Sequence, residues 1–193
     1  GLSPDHFAVG CISRLDPQKD QLTLVRAFAK LSAKHPKARL ILCGPVTDAG
    51  YAERLHELIA ASQLDGRVKV LLPVVAESRE QAELFAALDC FALTSRHEPF
   101  GIVILEAWAA GRPVVASSVG GVQRLVSDAR TGLLTPPGDA EAVAAALERV
   151  LADPALAARL GENGRQEARE QYSWQAVNAL LEAIYADTEA RYG

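Results

Sequence analysis

Short apolar runs alternate along this chain with longer stretches in which apolar residues recur every three or four positions. The short runs have the length of buried strands, and the longer stretches have the spacing of helices that cover a sheet. The predicted strands cover residues 7–13, 38–43, 68–72, 90–94, 113–116 and 132–134. Helices are predicted over residues 22–34, 51–62, 79–87, 100–110, 139–152 and 154–171, with a last helix from residue 173. This alternation is typical of a three-layer α/β/α fold with a six-stranded parallel sheet.

Composition and charge narrow the classes of function. The 193 residues suit one domain with a helical appendage, and we divide them into a domain at 1–172 and a C-terminal helix at 173–193. A net charge of −4, without a basic stripe, argues against nucleic acid as a partner. No apolar run approaches the length of a membrane span. Because the chain begins at Gly1 and contains no Met, we expect it to be a fragment of a longer protein or a processed one.

The three cysteines lie singly within predicted strands. Cys11, Cys43 and Cys90 are far apart in sequence, which does not match the paired spacing of a zinc site. The four histidines are equally scattered, so no metal site is predicted. We interpret the cysteines as small buried side chains in a reducing compartment, and we expect a cytoplasmic location.

Three distinctive segments follow predicted strands directly, at residues 14–19, 44–46 and 95–101. In an open parallel sheet, ligands bind at the carboxyl ends of the strands, where the strand order reverses. The segments should therefore open onto one crevice, together with Glu106. Arg14 offers a fixed fork of donors and Lys19 offers a point charge, and a diphosphate needs cations of this kind.

Two carboxylates, Glu98 and Glu106, flank a Pro-Phe-Gly turn at the start of the predicted helix 100–110. Backbone N–H groups at a helix N-terminus can receive a phosphate. The two oxygens of an acidic side chain match the adjacent hydroxyls of a sugar diol. The segment therefore predicts a nucleotide-sugar site. Two plainer interpretations stay open at this point: Glu98 could cap the helix, and Glu106 could point into water.

The last predicted helix carries an apolar stripe with two further apolar residues beside it. The stripe contains Trp174, Val177, Leu181, Ile184 and Thr188, and Leu180 and Tyr185 lie next to it. Two interpretations are open for this helix. The stripe could pack on the core of the same domain, or it could dock on a partner outside this chain.

The segment from Glu98 to Ser117 resembles the E-x7-E region of retaining glycosyltransferases of family 4, among the group 1 glycosyl transferases, which have the two-domain GT-B fold. Residues 13–19, 119–121 and 131–139 agree with the same family in order and spacing, and so does the Tyr172-Ser173-Trp174 start of the last helix. The resemblance spans nearly the whole chain. It implies a Rossmann-like domain that forms the C-terminal, donor-binding half of a GT-B fold. The N-terminal, acceptor-binding domain would be missing here, and the last helix would dock on it.

The resemblance also implies which residues hold the donor diphosphate. Arg14 and Lys19 correspond to the family's pair of cations that bind it. Phe100, Gly101 and Ile102 correspond to the turn whose backbone amides meet the phosphates. Gly101 would permit a close approach because it carries no Cβ.

Three further residues correspond to contacts with the rest of the donor. Glu98 corresponds to the acid that engages hydroxyls of the transferred sugar, and Glu106 to the acid that holds the ribose diol. Val74 corresponds to a backbone contact with the nucleobase. The resemblance thus implies that Glu98, Arg14 and Lys19 are the catalytic residues.

The activity implied by the resemblance is transfer of a hexosyl group from a nucleotide diphosphate sugar to an acceptor hydroxyl, with retention and without a cofactor or metal. The fragment alone is expected to bind nucleotide but not to transfer sugar, and any peripheral membrane association is expected of the full-length protein only. The alternatives are a GT-B-type epimerase or phosphorylase domain, and a non-catalytic nucleotide-sugar-binding or interaction module. A domain that binds NAD is disfavoured because no Gly-x-Gly-x-x-Gly follows the first strand.

The sequence departs from the family pattern in two places. Ser13 stands where the family often has Gly, and Asp20 stands where Gly or Asn is usual. Both changes should alter only the turn. Gln123 and Arg124 replace a Pro-Glu pair that is common after the paired glycines. Arg124 could therefore face solvent or provide a second contact with an anion.

Overall fold

The apolar runs form the strands of one sheet. The computed structural model describes residues 2–192, in which the strands are β1 (Phe7–Ile12), β2 (Ala38–Cys43), β3 (Val68–Leu71), β4 (Cys90–Leu93), β5 (Val114–Ser117) and β6 (Leu133–Thr135). All neighbours are parallel, in the order β3-β2-β1-β4-β5-β6. Every predicted strand is present, with its ends shifted by at most one residue.

Helices follow the strands, as the spacing of apolar residues predicts. They are α1 (Gln21–Lys34), α2 (Ala49–Ala61), α3 (Arg79–Ala86), α4 (Ile102–Ala109), α5 (Val122–Leu125), α6 (Ala140–Ala152), α7 (Pro154–Gln171) and α8 (Trp174–Tyr192). Asp139 caps α6 by accepting a hydrogen bond from the backbone N–H of Ala142 at 2.9 Å. The short helix α5 was not predicted, because its four residues are too few to show a period.

In every strand except the edge strand β3, alternate residues enter two apolar layers, one on each face of the sheet. Val9, Leu40 and Val115 pack with helices α1, α2 and α6 on one face. Ala8 and Phe91 pack with α3 and α4 on the other face, where Trp108 is the largest fully buried side chain. The predicted α/β fold with a six-stranded parallel sheet between helical layers is confirmed.

The strand order reverses beside β1. The chain passes from β1 to β2 and β3 on one side, and then returns to β4, β5 and β6 on the other. Helix α1, which follows β1, and helix α4, which follows β4, lie on opposite faces of the sheet, so a crevice opens at the carboxyl ends of these strands. Two of the segments that the sequence singles out, residues 14–19 and 95–101, lie in the loops that leave these two strands.

Helix α8 leaves the domain after packing against α7 near its start. Trp174 is 80% exposed and Tyr185 is 67% exposed, so the apolar stripe does not pack on the core of this domain. Docking of α8 on a second domain stays a prediction. Between residues 2 and 192, no helix is both long enough and apolar enough to span a membrane.

Candidate functional site

The loop after β1 places Arg14 at the rim of the crevice. The backbone N–H of Ser13 donates to Cys43 O at 2.9 Å, and that of Leu15 donates to Pro45 O at 2.8 Å, so the loops after β1 and β2 run side by side. The side chain of Arg14 is half exposed, and its Nη2 lies 3.2 Å from Asp16 Oδ2. Asp16 and, at 3.5 Å, Gln18 Oε1 therefore hold the guanidinium through its Nη2, and Arg14 lines the crevice.

Asp16 organises this loop from a buried position. Its carboxylate accepts the backbone N–H of Lys19 at 3.0 Å and the hydroxyl of Thr47 at 3.3 Å, besides the contact with Arg14. Sequence reasoning missed this residue. An Asp that precedes Pro in a turn was the available signal, because such carboxylates often bond the backbone a few residues later.

Lys19 and Glu98 form an ion pair between the two loops. Lys19 Nζ lies 2.5 Å from Glu98 Oε2, and the side chains are only 14% and 9% exposed. Ser95 Oγ donates to the same carboxylate oxygen at 3.2 Å. The interpretation of Glu98 as a helix cap is therefore wrong. Its carboxylate accepts hydrogen bonds from Lys19 and Ser95, and no side chain caps α4.

The Pro-Phe-Gly turn lines the crevice and leads into α4. Gly101 adopts a left-handed conformation (φ 97°) and is the N-cap, so α4 begins at Ile102, two residues later than the predicted start at residue 100. Among residues 2–192, no acceptor takes the backbone N–H groups of Phe100, Gly101 or Ile102. These donors, at the positive end of a helix, are suited to an anion.

The turn is supported from below by the paired glycines before α5. The backbone N–H of Gly121 donates to Glu98 O at 2.9 Å. A Cβ built on Gly121 would lie 2.1 Å from Pro99 O, so only glycine permits this approach. On the other side, the ring of Phe100 meets Tyr172 edge to face at 5.9 Å between centroids.

Glu106 lies at the opposite end of the crevice from Glu98. It lines a cavity of about 270 Å³ together with Arg14, Val74 and Gln81. Burial raises the pKa of the Glu106 carboxyl, and a hydrogen bond from Gln81 Nε2 at 3.4 Å partly opposes that shift. Glu106 is therefore not a residue that merely points into water.

A second cavity of about 410 Å³ continues from the first. The two share walls formed by Ser13, Arg14 and Ile102, and the second extends to Lys19 and Glu98. All eight predicted site residues line one cavity or the other: Arg14, Lys19, Val74, Glu98, Phe100, Gly101, Ile102 and Glu106. The structure thus brings these residues together along one crevice, and their individual roles stay predictions.

Known proteins are similar to this chain in sequence and in structure. The family profile described as glycosyl transferases group 1 matches residues 2–167. The chain belongs to the group 1 glycosyl transferases. A D-inositol 3-phosphate glycosyltransferase of Corynebacterium aurimucosum is 36% identical over 182 residues, which cover 93% of this chain and 42% of that protein. The lipopolysaccharide core biosynthesis glycosyltransferase LpsE of Rhizobium meliloti is 36% identical over 181 residues, 93% of this chain and 50% of that protein.

Solved glycosyltransferases give the same result. The crystal structure of Anabaena HepE in complex with UDP and glucose superposes with a TM-score of 0.87 at 32% identity. The match covers 95% of this chain and 49% of HepE. This glycosyl transferase domain therefore spans half or less of the length of these relatives, and its fold is one half of a GT-B fold, as predicted.

The remaining predicted features of this glycosyl transferase domain are the loop with Gln123 and Arg124, the cysteines and the absence of a metal site. Arg124 is exposed, and Gln123 Nε2 donates to Ser118 O at 2.8 Å. Cys11, Cys43 and Cys90 are free and buried, as expected. Among residues 2–192, no three His, Cys, Asp or Glu side chains form a group that could hold a metal ion, and a metal-independent reaction stays a prediction.

Proposed function

We propose that this chain is the donor-binding domain of a retaining glycosyltransferase of family 4 that transfers a hexosyl group from a nucleotide diphosphate sugar. The observation that carries the proposal is the single crevice, with Glu106 and Val74 at one end, Lys19 and Glu98 at the other, and Arg14 between them. Such an order of groups matches the order of base, ribose, diphosphate and sugar in a donor. The HepE relative, solved with UDP and glucose, supports the same class of ligand.

In the proposed complex, each part of the donor meets a different chemistry. The base lies against the backbone of Val74, and the ribose hydroxyls donate to the carboxylate of Glu106. The diphosphate accepts hydrogen bonds from Arg14 and from the N–H groups of Gly101 and Ile102 at the start of α4. The sugar then extends toward Glu98.

Catalysis in this proposal rests on positioning and on charge. When the bond between the sugar and the diphosphate breaks, its electron pair leaves with the diphosphate oxygen. Arg14 and Lys19 stabilise that growing negative charge more in the transition state than in the bound donor. Glu98 holds the sugar in place through its hydroxyls. We propose that no metal takes part.

Transfer requires an acceptor as well as a donor. Because this chain covers only 42% to 50% of the two relatives compared above, we propose that a second domain supplies the acceptor site. The chain alone should bind nucleotide but release no product from a sugar donor. Its three free thiols suit a reducing compartment, and we propose a cytoplasmic location.

Calorimetric titration with UDP, GDP, ADP and NAD tests the proposal. At least one nucleoside diphosphate should bind, and NAD should not compete with it. The Lys19→Ala variant should lose on the order of 1–3 kcal/mol of diphosphate binding, the scale of a charge-assisted hydrogen bond.

The matched control for Lys19→Ala is Lys34→Ala. Lys34 is also paired with a carboxylate, Glu148 at 2.9 Å, but it lies between α1 and α6, away from the crevice. The control should bind nucleotide as the unaltered chain does. Absence of binding to every nucleoside diphosphate, or equal losses in both lysine variants, would contradict the proposed site.

A further inference from the structure

Gln81, on the first turn of α3, joins the two elements that form the Glu106 end of the crevice. Its Nε2 donates to Glu106 Oε1 at 3.4 Å, across from α3 to α4. Its Oε1 accepts the backbone N–H of Glu77 at 2.8 Å, in the loop that also carries Val74. The amide therefore bonds both a predicted ribose acceptor and the segment predicted to meet the base.

The start of α3 holds Gln81 in this position. Ser78 caps the helix by accepting the backbone N–H of Gln81 at 3.1 Å. Gln81 is half-buried and lines the same cavity as Glu106 and Val74. Its side chain is thus fixed at both ends, by the cap at its backbone and by two hydrogen bonds at its amide.

A carboxylate that accepts from two ribose hydroxyls must present both oxygens in one orientation. The single donor from Gln81 restricts rotation of the Glu106 carboxylate and leaves lone pairs of both oxygens for other donors. The same amide sets the distance between Glu106 and the segment around Val74. A displacement of about one ångström can break a hydrogen bond between a ribose hydroxyl and Glu106. Holding the carboxylate in place should therefore favour a nucleoside with both ribose hydroxyls over one that lacks a hydroxyl.

We propose that Gln81 is a positioning residue that makes this site prefer ribonucleotides to 2′-deoxyribonucleotides. The inference rests on the proposed role of Glu106 as the ribose acceptor. Gln81 acts through Glu106, and it needs no contact of its own with the ribose.

The charged groups around Glu106 influence the pKa of its carboxyl. Arg14 shares one cavity with Glu106, and Arg165 and Arg169 of α7 share another, whereas Glu77 lies on the α3 side. Burial raises the pKa of Glu106, the hydrogen bond from Gln81 lowers it, and Glu77 raises it. Removal of the Gln81 amide should therefore raise this pKa further.

The variant Gln81→Leu removes the amide while keeping a side chain of similar size. We would titrate it with UDP, GDP and ADP, with their 2′-deoxy counterparts and with pyrophosphate. The preference for the ribonucleotide should fall by about 2- to 10-fold, as expected for the loss of one hydrogen bond. Affinity for pyrophosphate should not change. Thermal unfolding of the variant should match that of the unaltered chain.

The dependence of ribose preference on pH gives a second readout. The preference needs ionised Glu106, so it is present at high pH and is lost as the pH falls through the pKa of that carboxyl. In Gln81→Leu the loss should occur at a higher pH than in the unaltered chain. A merely structural role for Gln81 would weaken binding without moving this midpoint.

Two control variants distinguish the possible failures. Gln166→Leu removes a similar bond, from Gln166 Nε2 to Glu170 at 2.9 Å on the exposed side of α7, and should leave the preference unchanged. Glu106→Gln should abolish most of the preference. Suppose that Glu106→Gln abolishes the preference while Gln81→Leu changes neither the preference nor the pH midpoint of its loss. The proposed positioning role of Gln81 would then be wrong. If Glu106→Gln has no effect either, the proposed ribose site itself is wrong.

Discussion

The ion pair between Lys19 and Glu98 leads to a prediction about the binding of a diphosphate. Lys19, the cation expected to bind the diphosphate, is neutralised by Glu98 at 2.5 Å. A diphosphate must therefore compete with Glu98 for the ammonium group. The variant Glu98→Gln, which removes the charge and keeps the shape, should bind pyrophosphate more tightly than the unaltered chain does.

The structure indicates the size of this effect. A hydrogen bond between charged groups contributes about 1.5–3 kcal/mol, and the small exposure of both side chains places this pair where water screens it little. The glutamine oxygen can still accept one hydrogen bond from Lys19, so only part of that energy is released. A gain of about 1 kcal/mol corresponds to roughly fivefold tighter binding of pyrophosphate.

Calorimetry with pyrophosphate measures this gain, and Glu106→Gln is the matched control. Glu106 lines the same crevice, but its carboxylate bonds Gln81 and not Lys19. Removing its charge should tighten pyrophosphate binding by less than about twofold, because salt screens the remaining through-space effect. Weaker binding by Glu98→Gln would refute the reasoning, since it would mean that Glu98 holds Lys19 in place for the phosphate.

Two predictions concern stability. Gly121→Ala places a Cβ against Pro99 O and should cost about 1–3 kcal/mol of unfolding free energy in denaturant. Gly50→Ala on α2 is the control and should not destabilise the chain, because the nearest atom to its added Cβ would be Asp48 Oδ1 at 3.7 Å. Ending the chain at Ser173 should leave the melting temperature nearly unchanged, because α8 is largely exposed; a fall of many degrees would show that this helix stabilises the domain.

The strands and long helices could be predicted from the sequence because their signals are local. The run Cys90–Leu93 is wholly apolar, and the strand it forms is buried on both faces. Asp139 as the cap of α6 follows from the same kind of local rule. The convergence of Arg14 and Glu106 on one crevice also follows, since it needs only the topology of a parallel sheet.

The contacts within the site depend on residues far apart in the chain, and no local rule reveals them. Lys19 and Glu98 are 79 positions apart, and Gln81 and Glu106 are 25 apart. Their pairing depends on how loops and helices pack at the sheet edge. The start of α4 was misplaced for a different reason: the left-handed conformation of Gly101 delays the helix until Ile102.

Mapping of backbone amide shifts during nucleotide titration tests the central claim most directly. The account predicts that the nucleoside diphosphate that binds will cause its largest changes at Val74, Gly101, Ile102 and Glu106, along the whole crevice. In Glu106→Gln the changes at the Val74 end should shrink, and those at Gly101 should persist. Largest changes in the groove between α1 and α6, around Lys30 and Lys34, would contradict the account.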